Sequence, residues 1–298
     1  MAIFNKIFGK SEKQSSEDQI KELGFEISTC SETCDDCTAK FPKSLSFEEN
    51  DKLWHSTKPY GLHLNVSTGR TDWPHDATGK SNTLSHAVAS WASKHGDTPI
   101  GTIKVTCSSF ASDEMYSDED YITEQTGDVL VLPYFLWIKG LKITDVDKIL
   151  SKLVYILSTS EHDKLQVSDI QSQIPQVIPD VNKAYILLCS HRTRDKRCGI
   201  TAPIMKREME MYLRELDLYR DMCDTSPGGV NVGFINHIGG HKYAANVIIY
   251  LKQSGKNIWL ALCKPNNVRP IIDECILHGG KVWPDKVRLV QKFDPIEW

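Results

Sequence analysis

The chain has 298 residues, of which 40% are apolar and 25% charged, and its 35 Lys and Arg against 39 Asp and Glu give a formal net charge of −4. This composition is typical of a globular chain long enough to bury a core. The lack of a basic excess argues against a nucleic-acid partner. No apolar run reaches the ~18 residues of a membrane span, so no transmembrane segment is predicted.

The chain contains nine cysteines, an odd number with uneven spacing. No secretory signal is recognisable, which predicts a reducing, cytoplasmic location. Clustered cysteines in such a compartment are more often ligands or redox groups than structural disulfides.

The first 160 residues are predicted to form a flexible tail, 1–40, and an α/β unit, 41–160. In the tail, Ile3, Phe4, Ile7 and Phe8 would share one helical face. In the unit, hydrophobic periodicity predicts the order β-α-β-β-α. Its strands are expected at 61–67, 100–107 and 128–138, and its helices at 83–94 and 144–157.

Residues 161–180 are polar and contain Pro175 and Pro179, which predicts a linker. The second unit, 181–298, is predicted in the order β-α-β-β-β-α, with Thr201 as N-cap of its long helix. Its strands are expected at 185–189, 230–235, 243–251 and 258–262, and its last helix at 268–276. A strand–helix–strand followed by a hairpin and a helix is a thioredoxin-like pattern. The predicted fold is therefore α/β with two thioredoxin-like domains, the first one degenerate.

The strongest chemical signal is a pair of cysteines, Cys189-x8-Cys198, followed by a pair of histidines, His237-x3-His241. All four are expected in loops at strand ends, and Gly239-Gly240 lets the backbone between the histidines turn tightly. Two thiolates and two imidazoles suit Zn²⁺ or an iron–sulfur cluster. The eight-residue gap between the cysteines is wide for a structural zinc knuckle.

Two segments carry a family resemblance: Cys189-Ser-His-Arg-Thr-Arg-Asp-Lys-Arg-Cys198-Gly and His237-Ile-Gly-Gly-His-Lys-Tyr-Ala-Ala-Asn246. With Thr71-Asp-Trp-Pro74, they make the chain resemble the sucrase/ferredoxin-like family of thioredoxin-like [2Fe–2S] ferredoxins. The resemblance implies a [2Fe–2S] cluster held by Cys189, Cys198, His237 and His241, where related ferredoxins use four cysteines. It predicts an electron carrier rather than an enzyme with its own substrate.

Replacing two thiolates by neutral imidazoles leaves the oxidised cluster near zero net charge, which should raise its reduction potential, as in Rieske centres. Each imidazole also keeps a second ring nitrogen, so proton-coupled one-electron transfer is predicted. Two alternatives stay open. One is a structural zinc-binding interaction module; the other is a thioredoxin-type thiol oxidoreductase that uses Cys34 and Cys37 or Cys189 and Cys198.

Weaker signals surround this constellation. Cys34-x2-Cys37, with Cys30 upstream, encloses two aspartates that would raise the thiol pKa, so inert cysteines are favoured over redox or metal chemistry. His191 is a competing ligand candidate, and the basic loop around it is a candidate docking patch for an acidic redox partner. Cys107, Cys223, Cys263 and Cys275 are predicted to lie in the core. The terminal Ile296-Glu297-Trp298 resembles the tail signal that the cytosolic iron–sulfur assembly targeting complex recognises.

Overall fold

A computed structural model describes residues 14–35, 37–160 and 165–298. Its strands are β1 (Leu62–Ser67), β2 (Asp97–Thr98), β3 (Gly101–Ser108), β4 (Thr126–Leu132), β5 (Leu136–Lys142), β6 (Val177–Pro179), β7 (Ala184–Cys189), β8 (Val230–Ile235), β9 (Val247–Leu251), β10 (Lys256–Leu260) and β11 (Val287–Lys292). Its α-helices are α1 (Ser16–Glu22), α2 (Leu84–Lys94), α3 (Glu114–Ser117), α4 (Glu119–Ile122), α5 (Val146–Thr159), α6 (Val167–Gln173), α7 (Lys196–Glu215) and α8 (Val268–Pro270), which continues as a π-helical segment, Ile271–Leu277.

Two local features differ from the sequence prediction. The strand expected over 128–138 is two strands, β4 and β5, because Pro133 has no N–H for a sheet ladder and the chain turns there. Helix α7 begins five residues before the expected N-cap, Thr201. Asp195 caps it by accepting a hydrogen bond from the backbone N–H of Arg197. Thr201 is instead buried inside the helix, where its hydroxyl donates to the carbonyl of Arg197 at 2.9 Å.

The strands form one mixed sheet in the order β11-β10-β9-β7-β8-β3-β1-β4-β5-β6, with β2 paired to β3. Each half of this sheet repeats the same pairing. In the first half, β1 is parallel to β3 and antiparallel to β4, which is antiparallel to β5. In the second, β7 is parallel to β8 and antiparallel to β9, which is antiparallel to β10. The halves join through a single pair, Ser108 with Ile235.

The buried side chains form three main layers. Helices α2 and α5 cover one face of the first half, and α7 with the segment 268–277 covers one face of the second. The opposite, helix-free faces of the two halves pack on each other through aromatic residues, for example Phe110 against Tyr185 with ring centroids 5.5 Å apart. The second unit is thus held to the first by a core as well as by the sheet.

This middle layer also contains a buried polar chain. The hydroxyl of Tyr250 bonds that of Tyr60 and lies 2.8 Å from Nδ1 of His63. Nε2 of His63 lies 2.7 Å from the hydroxyl of Thr106. Burial lowers the pKa of His63 to about 3, so this ring is neutral in the folded chain.

Segments before β1 and after β5 are packed on the body of the protein. Ile20 of α1 and Phe25 are buried, and Ile27 pairs with Val282, so residues 16–28 are part of the packed structure. The amphipathic face expected at residues 3–8 lies outside the described residues. The polar segment 161–180 contains α6 and β6. The domain limits at residues 41, 161 and 181 stay predictions.

The end of the chain returns to the first half. Ile296 is 3% exposed within the core of α5 and α6. The backbone of Glu297 exchanges hydrogen bonds with Leu165 and Val167, at 3.0 and 2.9 Å. Trp298 donates its indole N–H to the carbonyl of Tyr134 at 2.9 Å. In the part of the chain that the structure covers, no helix combines the length and apolar character that crossing a membrane requires.

Candidate functional site

The four predicted ligands meet at one end of the second half of the sheet. Cys189 is the last residue of β7, and Cys198 is in the first turn of α7. His237 follows β8, and His241 begins a short 3₁₀ turn, His241–Tyr243. Because β7 and β8 are parallel neighbours, their carboxyl ends bring the cysteine and histidine loops together.

The two cysteines form a buried pair. Cys189 and Cys198 are 2% and 1% exposed and pack with Ala244, Phe47 and Ile238. A hydrogen bond from the Cys198 thiol, assisted by His237, lowers the pKa of Cys189 to about 5 against the opposing effect of burial. The same bond and burial raise the pKa of Cys198. The pair therefore holds one thiolate readily, on Cys189, which is the form that binds metals.

The two histidines lie side by side between this pair and the solvent. Nε2 of His237 and Nδ1 of His241 are 3.4 Å apart. Nδ1 of His237 is buried without a hydrogen-bond partner. His241 has 43% of its side chain exposed, and its Nε2 lies 3.9 Å from Asp195 Oδ2. Burial lowers the pKa of His241, partly opposed by Asp195. Neutral imidazole nitrogens of this kind are available as ligands.

Arg288 fixes the backbone between the histidines. It is 1% exposed, and its Nη1 donates to the carbonyl of Gly239 at 3.0 Å and to Oδ1 of Asn246 at 2.8 Å. Asn246 in turn donates to the carbonyl of Gly240 at 2.9 Å. Gly240 has φ +71°, and a Cβ there would lie 2.6 Å from the Arg288 guanidinium. Glycine is therefore needed at 240 both for its backbone conformation and for the close approach of Arg288.

His191 is excluded as a competing ligand because both of its ring nitrogens have partners. Nε2 lies 3.0 Å from the carbonyl of Trp73 and 2.9 Å from that of Pro74, so it carries the proton. Nδ1 accepts a hydrogen bond from the backbone N–H of His237 at 3.1 Å. His191 thus positions the histidine loop against the first half.

With this geometry in view, comparison with known proteins is informative. The model of the sucrase/ferredoxin-like family matches residues 53–289. The chain belongs to the sucrase/ferredoxin-like family. It is 34% identical over 255 residues to actin patches distal protein 1 of Saccharomyces cerevisiae, covering 84% of this chain and 80% of that protein. It is 38% identical over 102 residues to altered inheritance of mitochondria protein 32 of Debaryomyces hansenii, covering 34% of each. These findings confirm the family predicted from the sequence.

One solved structure also matches in part: a thioredoxin-like [2Fe–2S] ferredoxin from Aquifex aeolicus. It is 18% identical and covers 38% of this chain and 96% of that chain, with a TM-score of 0.24. This sucrase/ferredoxin-like protein has a mixed α/β fold with one large sheet.

The third segment of the family resemblance, 71–74, closes the site from the first half. Ser190 donates its hydroxyl to the carbonyl of Thr71 at 2.7 Å. Asp72 accepts from the backbone N–H and the hydroxyl of Thr193, at 3.1 and 2.7 Å. Both halves of the chain therefore build the cysteine loop, although the four candidate ligands come only from the second.

Within the described residues, no three His, Cys, Asp or Glu side chains are arranged as a ready site for one metal ion. The donors lie instead as two neighbouring pairs, the cysteines inside and the histidines outside. The donor set fits a two-iron cluster, in which each iron takes two protein ligands. The unpaired Nδ1 of His237 leaves a donor atom free for such a group.

Sequence reasoning missed two residues of the site, Asp195 and Arg288. Asp195 caps α7 and lies beside His241. The sequence signal that could have identified it is a polar residue placed just before a helix. Arg288 is on β11, which was not predicted, so no sequence signal connected it to the histidine loop.

The remaining cysteines fall into two groups. Cys107, Cys263 and Cys275 are buried, as predicted, whereas Cys223 is exposed in the loop before β8. The expectation of a core role for Cys223 was wrong, because its segment turns outward through Asp221 and Asp224. Cys34 and Cys37 lie in a loop and do not open a helix, so they lack the helix N-terminus that lowers the thiol pKa in thioredoxins.

Proposed function

We propose that this protein is an electron carrier that binds one [2Fe–2S] cluster through Cys189, Cys198, His237 and His241. The observation that carries the proposal is the convergence of a buried, thiolate-forming cysteine pair and a histidine pair at one end of β7 and β8. When bound, the cluster would supply one-electron redox chemistry. The repeated strand pairing of the two halves supports the further proposal that both are thioredoxin-like, the first having no equivalent donors.

The surroundings of the four residues suit this role. Phe47, Ile238 and Ala244 shield the cysteines from water. His241 has 43% of its side chain exposed, so it is placed to pass an electron to a partner and to exchange a proton with solvent through its second ring nitrogen. Arg192 and Arg194, on the adjoining loop, and Lys196, the first residue of α7, are exposed. We propose this patch as the docking surface for an acidic redox partner.

The first test is the visible absorption spectrum of protein purified without oxygen, with iron, sulfide and zinc measured on the same sample. We expect broad bands bleached by dithionite and about two irons and two sulfides per chain. Cys189→Ala should lose the bands and most of the iron, whereas Cys223→Ala, a matched change at an exposed cysteine, should keep both. Colourless protein with one zinc per chain, lost in Cys189→Ala, would establish the zinc-module alternative instead.

Substituting the outer ligand tests the role of the histidines. We expect His241→Cys to retain the cluster but to lower its reduction potential, because a thiolate adds negative charge. The potential of the wild type should fall as pH rises, and this dependence should be weaker in the variant, which has one fewer ring to protonate. The control is His95→Cys, because His95 is an exposed histidine that is far in sequence from the four proposed ligands. A wild-type potential independent of pH between 6 and 9 would contradict proton coupling.

The thioredoxin-type alternative for Cys189 and Cys198 predicts metal-free protein with a reversible disulfide. Neither cysteine is exposed, so a substrate disulfide would have to displace Phe47 or the histidine loop to reach them. Alkylation and mass measurement after mild oxidation of the metal-free protein would detect that disulfide directly.

We further propose that Ile296-Glu297-Trp298 contacts the cytosolic iron–sulfur assembly targeting complex, which places the protein in the cytosol. Deleting Trp298 should lower the iron content of protein made in fungal cells severalfold. Chemical reconstitution of the same variant with iron and sulfide should restore it, because the four ligands are unchanged. Equal iron in both proteins as isolated would contradict this partner. Tyr155→Ala, at another exposed aromatic residue, is the control.

A further inference from the structure

Cys34 and Cys37 line a cavity that the proposed cluster does not use. The cavity has a volume of about 510 Å³ and lies between the loop 34–49 and the turn Pro265–Asn267. Its walls include apolar side chains, Phe41 and Phe47, and cationic ones, Lys40, Lys43 and Lys264. The two free cysteines therefore border a space that a small molecule can enter, instead of being packed in the core.

The structure fixes both cysteines against the body of the protein. The backbone N–H of Cys34 donates to the carbonyl of Asn266 at 2.8 Å. The thiol of Cys37 donates to Oε2 of Glu208, on α7, at 3.6 Å. Neither thiol is in a disulfide, and both are half-buried at the cavity wall, where a small molecule can reach them.

The two thiols are not equivalent. Burial raises the pKa of Cys37, and the charges of Glu208 and Cys34 raise it further. A carboxylate beside a thiol opposes the thiolate, which is the reactive form. Cys34 has no carboxylate hydrogen-bonded to its thiol in the described structure, so Cys34 is placed to attack first and Cys37 second.

We propose that Cys34 and Cys37 are a second redox site of this chain, a dithiol that reduces a low-molecular-weight disulfide of the glutathione type bound in the cavity. The site differs from the thioredoxin type because it uses a cavity instead of a helix N-terminus. Three lysines and two carboxylates, Asp35 and Glu49, line the cavity. Glu49 is paired with Lys264 at 3.2 Å, which leaves Lys40 and Lys43 against Asp35 in the lining, and this excess of positive charge favours an anionic ligand such as glutathione disulfide.

The reaction is two successive thiol–disulfide exchanges. The Cys34 thiolate attacks one sulfur of glutathione disulfide; the Cys34–glutathione bond forms, the original S–S bond breaks and one glutathione thiolate leaves. The Cys37 thiolate then attacks Sγ of Cys34, the Cys34–Cys37 bond forms and the second glutathione leaves. Two electrons pass from the protein dithiol to the small disulfide, and the two protons of the protein thiols go to the two departing glutathiones.

The experiment uses the full wild-type chain and, beside it, the Cys30→Ser variant, in which Cys34 and Cys37 are the only cysteines between Glu22 and Lys40. Reduced protein is incubated with glutathione disulfide without oxygen, quenched in acid, alkylated and analysed by peptide mass. We expect a Cys34–Cys37 disulfide, with the mixed disulfide on Cys34 below about a tenth, because an intramolecular thiol has an effective concentration of at least about millimolar.

Variants separate the two steps. Cys37→Ser should accumulate glutathione on Cys34, and Cys34→Ser should leave Cys37 largely unmodified. Glu208→Gln should make the Cys37 thiol more acidic. For a tenfold rise in the Cys37 thiolate, ring closure should speed up only about threefold, because a thiolate of lower pKa is a weaker nucleophile. Glu215→Gln, farther along α7, should leave the closure rate unchanged.

Two results would overturn the proposal. One is that Cys34 and Cys37 stay reduced at a glutathione disulfide concentration that modifies the exposed Cys223. The other is that wild-type protein retains glutathione on Cys34 without closing the ring. Both results are measured on wild-type protein, so either one contradicts the proposal even if a substituted chain fails to fold. They are also independent of whether Cys189 and Cys198 hold a cluster.

Discussion

Replacing Arg288 by methionine should lower the free energy of unfolding by at least about 3 kcal/mol, because it leaves several buried acceptors without a donor. The guanidinium is buried, and it donates to the carbonyl of Gly239, to Oδ1 of Asn246 and to the hydroxyl and carbonyl of Ser56. None of these acceptors is a carboxylate, and burial lowers the pKa of Arg288 to about 10. Urea unfolding at neutral pH measures the change.

The same substitution should loosen the histidine loop. Arg288 holds the carbonyl of Gly239 and the amide of Asn246, which holds Gly240, so its loss frees the backbone between His237 and His241. We expect the iron content of Arg288→Met to fall even under conditions where the chain stays folded. Arg288→Lys should recover part of the stability, since an ammonium can reach some of the acceptors but not all of them at once.

Arg269→Met is the matched control. Arg269 is an arginine of the second half that is 38% exposed in its side chain and paired with Glu215. An exposed pair of this kind contributes little, so this variant should unfold within about 1 kcal/mol of the wild type. Equal stability of Arg288→Met and Arg269→Met would show that the buried guanidinium does not hold the loop.

The second large effect is a loss of stability in acid that depends on His63. Burial, and to a lesser degree the charge of Lys104, lowers the pKa of His63 from 6.5 to about 3. Between these values the unfolded chain binds a proton at this ring and the folded chain does not. Stability is therefore full above pH 6.5 and falls as the pH drops toward 3, by about 1.4 kcal/mol for each pH unit or about 3 kcal/mol at pH 4.

The groups that face His63 set this effect. They are the hydroxyls of Tyr250 and Thr106, the ring of Tyr60 and the cation of Lys104. Urea unfolding of the wild type and of His63→Gln between pH 7 and 4.5 isolates this histidine as the difference between the two curves, since the other titrating groups are common to both. His63→Gln should be less stable at pH 7 and should lose most of the slope, whereas His95→Gln, at a half-exposed histidine, should keep it. Parallel curves for the wild type and His63→Gln would contradict the assignment.

Much of the fold could be predicted because periodicity is a local property. The helices at 84–94 and 146–159 and the strands at 62–67, 184–189 and 230–235 lie within two residues of their predicted limits. The N-terminus of α7 was misplaced because two polar residues, Asp195 and Thr201, compete as caps and only the folded loop decides between them. The strand β11 carries two cations, Arg288 and Lys292, and the burial of Arg288 depends on long-range contacts.

The candidate site also has a part that the sequence predicts and a part that it does not. The four candidate ligands could be predicted from residue type and spacing, because chemistry restricts which side chains bind soft metals. The parts that hold them could not, because they come from distant segments. Arg288 reaches the histidine loop from β11, and Trp73 reaches His191 from the first half. Only the tertiary structure shows that His191 positions the loop instead of binding.

The return of the chain end to the first half has a consequence for biosynthesis. Ile296 completes a core whose other members lie between residues 62 and 177, and it is synthesised after all of them. The first half therefore leaves the ribosome with an apolar gap near Leu165 and Val167, which can close only after the whole of the second half up to Ile296 has been synthesised. Closing that gap requires a chain that has been made at least as far as Ile296. Until it closes, residues 296–298 remain accessible to a protein that binds them.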